Sequence, residues 1–255
     1  KAPMNILLLR LSSMGDLIHT LPAIEDLSKH RPDVRLDWMC EAGFADIARL
    51  HPFVQQVIPM RWRHWRKHLL QAETKSEITH LRNTLIGRDY RFSVASQGLL
   101  KSALFGKMAH APILGYDKKS IREPLASVFY KQKYAVSRQG NAIWRNRALF
   151  AQIFGYEFAE DDVVFGAKVP ADDAAPVPEQ DYIVALHATS QDEKLWPEDM
   201  WWALFEKLHG ETGAVIYLPW GNNQERERAE KWVEKFNYVK LSPKLNLLQA
   251  ARLLE

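Results

Sequence analysis

The segment NILLLRLSSMGDLIHTLP, residues 5–22, decides the fold of the first half of the chain. A largely apolar run, Asn5 to Leu11, meets a turn of small residues and then a helical pattern. This order predicts a buried parallel strand, a tight loop and the start of a helix. The loop then lies at the carboxyl end of a strand, where open α/β sheets bind ligands. Asp16 stands in that loop, well placed to act on a substrate.

Two interpretations of Asp16 stay open at this point. An aspartate has an ordinary pKa of about 3.9, so it is ionised near neutral pH and can accept a proton as a general base. An aspartate at a helix start is also a common N-cap, and residue type alone favours the cap. Gly15, just before it, permits a tight turn or the close approach of a ligand.

Outward from this segment, strand-like runs alternate with helix-like runs. The alternation predicts an α/β protein with doubly wound parallel sheets. It is interrupted by a polar, proline-rich stretch over residues 170–180, which is typical of a linker. We expect two Rossmann-like domains facing across a cleft: residues 1–165, a linker over 166–180, and residues 181–255. The predicted strands are residues 5–11, 35–40, 54–60, 92–96, 112–116, 182–186, 214–218 and 238–241, and the predicted helices are residues 44–50, 74–86, 99–109, 141–154, 197–208, 225–236 and 245–254.

Composition indicates a globular protein. The chain has 255 residues, of which 47% are hydrophobic and 25% charged, enough for one or two cores. No run approaches the roughly 18 apolar residues of a membrane-spanning helix, and the N-terminus lacks the pattern of a secretory signal. Cys40 is the single cysteine, so we expect no internal disulfide and a reducing compartment, the cytoplasm.

Charge is distributed very unevenly along the chain. Residues 1–150 hold 24 Lys/Arg against 12 Asp/Glu, whereas residues 151–255 hold 10 against 19. The net charge of +3 therefore hides a basic first part and an acidic second part. This asymmetry predicts two units with different tasks, and an anionic partner for the basic one. Scattered solubilising charge is the alternative.

Two loops of the second part also carry candidate chemistry. Residues 187–197 combine hydroxyls, backbone amides and Lys194 just before a helix, which suits an anion, although ordinary capping of a polar loop is the alternative. Trp220 and Gly221 end the next strand, where the indole either walls a nucleotide pocket or belongs to the core. Glu225 either holds a ribose hydroxyl or is a solvated glutamate in the first turn of a helix.

Basic and aromatic residues alternate in Arg61–Lys67. This pattern suits nucleic acid, an anionic membrane surface or an anionic glycolipid. An amphipathic helix that packs its tryptophans inward is the alternative. His64 and His68 are four residues apart, but no third ligand accompanies them, so we expect no metal site.

Six segments together resemble the heptosyltransferases of glycosyltransferase family nine. Each is modest alone, but they occur in the family's order, span nearly the whole chain and are specific jointly. They are LSSMGDLIHTLPA (residues 11–23), IPMRWRHWRK (58–67), QGLLKSA (97–103), REPLASVFY (122–130), LHATSQDEKLWPE (186–198) and LPWGN (218–222).

The resemblance implies a GT-B fold and a transferase in lipopolysaccharide inner-core biosynthesis. Such an enzyme moves heptose from ADP-L-glycero-D-manno-heptose to the first Kdo of Kdo-lipid A, inverts the anomeric centre, and needs neither a metal ion nor another cofactor. We expect a monomer in peripheral contact with the cytoplasmic face of the inner membrane, with no nucleic acid as partner. A family member acting later in the core, or a nucleic-acid-binding protein that uses Arg61–Lys67, are the alternatives.

The resemblance also assigns residues. Asp16 matches the general base, and Lys194 matches the cation that stabilises the departing ADP. The family has a further segment with a motif of the type Asp-Thr-Gly-Leu-Ser-His, so we expect the second domain to be incomplete in this chain. The expected donor-binding residues are Thr189, Ser190, Lys194, Trp220, Gly221 and Glu225, and the expected acceptor-binding residues are Ser13, Gly15, Arg63, Arg66, Lys67, Gln97 and Arg122.

Overall fold

A computed structural model describes residues 3–170, 177–189 and 191–255. The chain divides into two compact units, Lys1–Lys168 and Val169–Glu255. The division between residues 168 and 169 falls inside the segment predicted as a linker, residues 166–180. Within the described ranges, no helix is long and apolar enough to cross a bilayer.

The first unit is built on a six-stranded sheet in which every paired strand is parallel to its neighbour. The strand order reverses between the first and the fourth strand, which is the topological switch point where such sheets bind ligands. The strands are β1 (Met4–Leu9), β2 (Val34–Glu41), β3 (Val54–Met60), β4 (Phe92–Ala95), β5 (Ile113–Tyr116) and β6 (Gln132–Tyr134), in the order β3-β2-β1-β4-β5-β6.

The central strand β1 explains why the opening segment decides the fold. Its last four residues, Ile6–Leu9, are fully buried between β2 and β4, as the apolar run predicts. A glycine lets a helix approach this strand closely, because a Cβ at Gly106 would lie 2.4 Å from Leu9 Cδ1. The end of β1, from which the loop begins, is therefore closely packed against its neighbours.

Helices surround this sheet, and their ends follow ordinary capping rules. Helix α2 (Leu21–His30) packs against helix α7 (Ala142–Phe154), and Arg147 Nε of α7 lies 2.6 Å from Asp26 Oδ2 of α2. The Asn141 side chain caps α7, and Gly155 ends it with φ 73°. The helices are α1 (Met14–Ile18), α2 (Leu21–His30), α3 (Ala45–Arg49), α4 (Trp62–Trp65), α5 (Ala72–Gly87), α6 (Leu100–Gly106) and α7 (Ala142–Phe154), with 3₁₀ turns at Ala42–Phe44, Lys107–Ala109 and Pro124–Phe129.

The second unit has a three-stranded parallel sheet in the order β7 (Tyr182–Val184), β8 (Val215–Leu218) and β9 (Val239–Leu241). Its core joins strand residues such as Ile216 and Val239 to two aromatic side chains, Phe205 and Trp232. Its elements are β7 (Tyr182–Val184), β8 (Val215–Leu218), β9 (Val239–Leu241), α8 (Glu198–Thr212), α9 (Asn223–Lys235) and α10 (Leu247–Leu253), with a 3₁₀ turn at Asp192–Lys194.

The predicted alternation matches these elements, with shifted ends and one omission. The first strand ends at Leu9 rather than Leu11, and the seventh at Val184 rather than Leu186. Strand β6 was absent from the prediction, because its three residues are polar, and two of them are exposed. The segment Arg61–Lys67 contains a short helix, α4, as the amphipathic alternative requires.

Candidate active site

The loop after β1 lies at the switch point of the first sheet and holds Asp16 in a defined position. Ser13 is the N-cap of α1, so the N-cap interpretation of Asp16 is wrong. Asp16 occupies the third helical position instead, where its Oδ2 accepts hydrogen bonds from Ser13 N at 3.1 Å and Ser13 Oγ at 2.9 Å. This reciprocal arrangement fixes the carboxylate against the helix start.

The environment of Asp16 favours its ionised form. The residue is half-buried. Burial acts to raise its pKa, but the hydrogen bonds from Ser13 and the charges of Arg10 and His19 outweigh burial, so the pKa lies below its ordinary value. The carboxylate is therefore a proton acceptor near neutral pH, as a general base must be.

Gly15 adjoins this carboxylate on an open surface. It has no positive φ, so the predicted tight turn does not require a glycine at this position. No atom lies within 4 Å of the place where a Cβ would stand, outside its own chain neighbours. There is therefore room for a ligand close to the backbone of Gly15, which was the second interpretation of this glycine.

Arg10 is a residue of this edge that the sequence analysis overlooked. Its side chain is buried, and it donates from Nε to Thr20 Oγ1 at 3.3 Å and from Nη2 to Asn146 Oδ1 at 3.0 Å. Burial lowers its pKa, against the opposing influence of Tyr116 and Asp16. Among the described residues it has no ion-pair partner within 4.0 Å, so its charge acts on Asp16 through space. The sequence signal that could have identified it is a single basic residue inside the otherwise apolar run from Asn5 to Leu11.

Gln97, predicted to bind the acceptor, lies beneath the β1–α1 loop. Its Oε1 accepts from Leu11 N at 3.1 Å, and its Nε2 donates to Ser12 O at 3.0 Å and Ser12 Oγ at 3.2 Å. The side chain is buried. Since Gln97 follows β4, these bonds tie the ends of the two central strands together across the switch point.

The predicted cations Arg63, Arg66 and Lys67 are exposed at the same carboxyl edge, in and just after α4. Buried Glu41, at the end of β2, accepts from Arg63 N at 3.2 Å. Burial raises the pKa of Glu41, while the nearby charges of Lys101, Arg63 and Arg66 act in the opposite direction. Three cations, Lys101, Arg63 and Arg66, therefore lie near one buried carboxylate. Neither Glu41 nor Lys101 was among the predicted site residues.

The tryptophans between these cations point into the protein. Trp65 is buried and donates from Nε1 to Glu77 Oε2 at 2.5 Å, and Trp62 packs edge-on against Phe105 at a centroid distance of 5.6 Å. The buried ring of Trp65 is not free to stack on a nucleic-acid base, and Trp62 is half-buried. This packing is the geometry of the amphipathic alternative.

Arg122 joins the cations from the other side of the switch point. It is exposed and follows the loop after β5. Its charge is close enough to help lower the pKa of Arg10. The predicted acceptor residues of the first unit therefore collect along one edge of one sheet.

In the second unit, the loop after β7 is anchored by His187. The imidazole is buried, donates from Nε2 to Pro219 O at 2.9 Å, and accepts at Nδ1 from Arg228 Nη2 at 3.0 Å. Burial and the charge of Arg228 lower its pKa. Neutral His187 thus joins the ends of β7 and β8 and supports the loop that follows.

The predicted donor residues divide into those that share a cavity and those that do not. A cavity of about 270 Å³ is lined by Thr189 and Glu225. Its other charged lining residues are two cations, Arg228 and Lys231, and three carboxylates, Asp192, Glu198 and Glu227. Lys194 is exposed in the 3₁₀ turn of the same loop and is not among the lining residues. Ser190 lies outside the described residues.

Glu225 shapes the turn that enters α9. Its Oε2 accepts from Gly221 N at 2.7 Å, and its Oε1 accepts from Asn222 Nδ2 at 2.8 Å. Each carboxylate oxygen has two lone-pair directions, so a ligand hydroxyl can still donate to it. Glu225 is thus a first-turn glutamate of α9, whose N-cap is Asn222, and it also lines the cavity.

Trp220 is half-buried beside this turn rather than in the core. Its Nε1 donates to Ser242 O at 2.9 Å, which links the ends of β8 and β9. The Arg226 guanidinium covers its ring at 5.3 Å. Trp220 is not among the residues that line the cavity.

A family model for glycosyltransferase family 9 (heptosyltransferase) matches residues 78–255. The chain belongs to glycosyltransferase family 9. Lipopolysaccharide heptosyltransferase 1 of Escherichia coli K12 is 40% identical over 252 residues, covering 98% of this chain and 79% of that protein. The enzyme of the same name from Pseudomonas aeruginosa is 40% identical over 256 residues, covering 98% of this chain and 70% of that protein.

Solved structures of the family agree in fold. The E. coli heptosyltransferase WaaC with ADP-2-deoxy-2-fluoro heptose has a TM-score of 0.89 at 38% identity, covering 98% of this chain and 80% of that one. E. coli ADP-heptose lps heptosyltransferase II has a TM-score of 0.75 at 18% identity, covering 98% and 76%, and shows the fold alone. The predicted GT-B type α/β fold class and the predicted heptosyltransferase family are therefore confirmed.

Proposed function

We propose that this family 9 enzyme transfers L-glycero-D-manno-heptose from ADP-heptose to the first Kdo of Kdo-lipid A. The observation that carries the proposal is the fixed, ionised Asp16 carboxylate at a sheet edge rich in cations, in a chain 40% identical to lipopolysaccharide heptosyltransferase 1. An anionic acceptor that must lose a proton suits such an edge.

In the proposed reaction, Asp16 accepts the proton of a Kdo hydroxyl as that oxygen attacks the anomeric carbon of the heptose. The new carbon–oxygen bond forms while the bond from the anomeric carbon to the ADP oxygen breaks, and ADP leaves with the electron pair. A single displacement of this kind inverts the anomeric centre. Asp16 ends protonated and returns the proton to water.

The departing ADP needs positive charge and hydrogen-bond donors. We assign these to Lys194 and to the hydroxyls of Thr189 and Ser190, with Glu225 on a ribose hydroxyl and Trp220 and Gly221 beside it. Support comes from the shared cavity of Thr189 and Glu225, and from the exposure of Lys194 on the same loop. In this assignment the lysine supplies the charge, and the reaction needs no metal ion.

The acceptor is recognised through its anions. Arg63, Arg66, Lys67 and Arg122 are exposed at the edge that holds Asp16, and Kdo carboxylates and lipid A phosphates are their expected partners. Ser13 and Gly15 border the attacking hydroxyl, while Gln97 holds their loop. We place the enzyme, as a monomer, in peripheral contact with the cytoplasmic face of the inner membrane.

The test is incubation with ADP-heptose and Kdo-lipid A, with mass spectrometry of the lipid product. We expect the mass of one added heptose and an inverted linkage by NMR. A parallel reaction in EDTA should proceed at the same rate. Transfer only to an acceptor that already carries heptose would instead identify a later step of core synthesis, and loss of activity in EDTA that Mg²⁺ restores would refute the metal-free part.

A further inference from the structure

An apolar groove lies beside the cations of α4. Its volume is about 390 Å³, and one wall is a face of α6 and its 3₁₀ extension, with Leu100, Leu104 and Met108 spaced four residues apart. Trp62 of α4 and Phe105 form the remainder of the apolar lining. Lys101, the one charged residue among the described lining residues, joins the groove to the cations around Glu41.

Further exposed apolar side chains lie on the elements that form this groove and on their neighbours. Leu104 is 50% exposed. Leu70 is 90% exposed and lies in the turns after α4, five residues beyond Trp65, whose ring is 6.3 Å from that of Phe105. Leu125 and Val128, 70% and 73% exposed, lie in the 3₁₀ turn Pro124–Phe129, which packs against α6. Single exposed apolar residues are ordinary, but a set on three neighbouring elements marks an interaction surface.

The surroundings of this apolar surface are cationic. Residues 61–72 contain four Lys/Arg and no Asp/Glu, although Glu73 and Glu77 follow and Glu77 pairs with Arg61, and residues 98–116 contain two Lys and no Asp/Glu. The acidic residue nearest in sequence to the exposed 3₁₀ turn, Glu123, is engaged by Leu100 N at 2.7 Å. Apolar side chains bordered by Lys and Arg match the boundary of an anionic bilayer, where acyl chains lie just below phosphate groups.

We propose that this surface, the docking face, seats the protein on an anionic phospholipid bilayer. The side chains of Leu70, Leu104, Leu125 and Val128 enter the acyl boundary, and the neighbouring cations contact lipid phosphates. The inference rests on the proposed function, because it specifies how the candidate acceptor site meets an acceptor that is embedded in a membrane. Lys101 lines the groove and lies near Glu41, as Arg63 and Arg66 also do, so the groove adjoins the candidate acceptor cations.

The test is co-sedimentation with large unilamellar vesicles, either of phosphatidylcholine alone or with a minor fraction of phosphatidylglycerol. We expect partitioning onto the anionic vesicles to be about tenfold stronger or more. In the double variant Leu70→Ser, Leu104→Ser it should fall about tenfold or more. Ile86→Ser, which replaces a 40% exposed side chain near the far end of α5, is the matched control and should bind like the wild type.

Both changes replace exposed side chains, so matching circular dichroism and thermal unfolding curves would show an intact fold. Unchanged partitioning of the double variant, or equal binding of the wild type to neutral and anionic vesicles, would overturn the docking face. A second arm measures heptose transfer, which the double variant should keep with a water-soluble deacylated acceptor and lose with acceptor in vesicles. Sedimentation needs no turnover, so failed transfer by the wild type would count against the proposed function alone.

Discussion

The two sheet edges differ in how far their candidate groups are already held by the protein. In the first unit, Asp16 is fixed by Ser13, and Gln97 supports the same loop from below. In the second, the described hydrogen bonds and ion pairs include none for the exposed side chains of Thr189 and Lys194. The candidate proton acceptor Asp16 is thus positioned by the fold. Thr189 and Lys194, unlike the hydrogen-bonded Glu225 and Trp220, are left available for a ligand to order.

The largest effect on catalysis is expected from removing the Asp16 carboxylate, the proposed proton acceptor. Asp16→Asn keeps the shape of the side chain but removes its basicity, so we expect kcat to fall by about 10²–10⁴-fold with ADP binding retained. Asp46→Asn, a half-buried carboxylate paired with Arg49, is the matched control. Steady-state kinetics and calorimetry with ADP check both expectations. Turnover within tenfold of the wild type would exclude Asp16 as the base.

The second-largest effect on catalysis is expected from removing the Lys194 cation. Lys194→Ala removes charge that we assign to the departing ADP, so kcat/KM should fall about 10²-fold. Lys207→Ala, on the exposed face of α8, removes the same charge from the same unit and should leave kcat/KM unchanged. Equal kinetics of the two variants would show that the donor edge does not act through this lysine.

The support beneath the first loop should have a moderate effect. Gln97→Leu leaves the buried Leu11 N without its partner, so the free energy of unfolding should drop by about 1–3 kcal/mol. The displaced loop should lower kcat without changing the KM for ADP-heptose. Denaturation curves and kinetics measure these quantities, with exposed Gln152→Leu as control. A changed KM with unchanged kcat would contradict a role in positioning Asp16.

The smallest effect concerns pH and the second edge. Burial and Arg228 lower the pKa of His187 in the folded protein. As pH falls below about 6.5, this histidine is therefore protonated in the unfolded chain at a higher pH than in the folded protein. This contribution to stability is present above that pH and is lost toward the folded pKa, by at most about 1.4 kcal/mol per pH unit. His187→Gln should flatten that part of the pH profile of unfolding, whereas exposed His80→Gln should not. An identical slope in all three proteins would refute the assignment.

Local pattern was sufficient to predict much of this architecture. The apolar run from Asn5 and the small-residue turn after it identified the central strand and its ligand edge. Strand ends in a parallel sheet meet at one edge, so Asp16, Gln97 and Arg122 could be grouped from sequence order. Strand β6 escaped because it has only three residues and pairs on one side, where apolar pattern is weak.

The rest depends on contacts between distant residues. Arg10 is held in its buried position by hydrogen bonds to Thr20 and Asn146. A local sequence pattern cannot predict a partner that lies 136 residues away. Glu41 likewise gains its role from Arg63, on another element. Sequence identified Ser13 and Asp16 as neighbours but not which of them caps α1, since both residue types serve as caps.

The hydrogen bond from Arg10 to Asn146 has a consequence for synthesis. Asn146 lies in α7, near the end of the first unit, while Arg10 and Asp16 emerge from the ribosome among the first residues. Until α7 has been translated and has docked on α2, the guanidinium lacks its Nη2 partner and has only the hydrogen bond to Thr20 Oγ1. A nascent chain that has completed only β1 to β5 therefore carries Asp16 while one of the two hydrogen bonds that hold Arg10 is still missing.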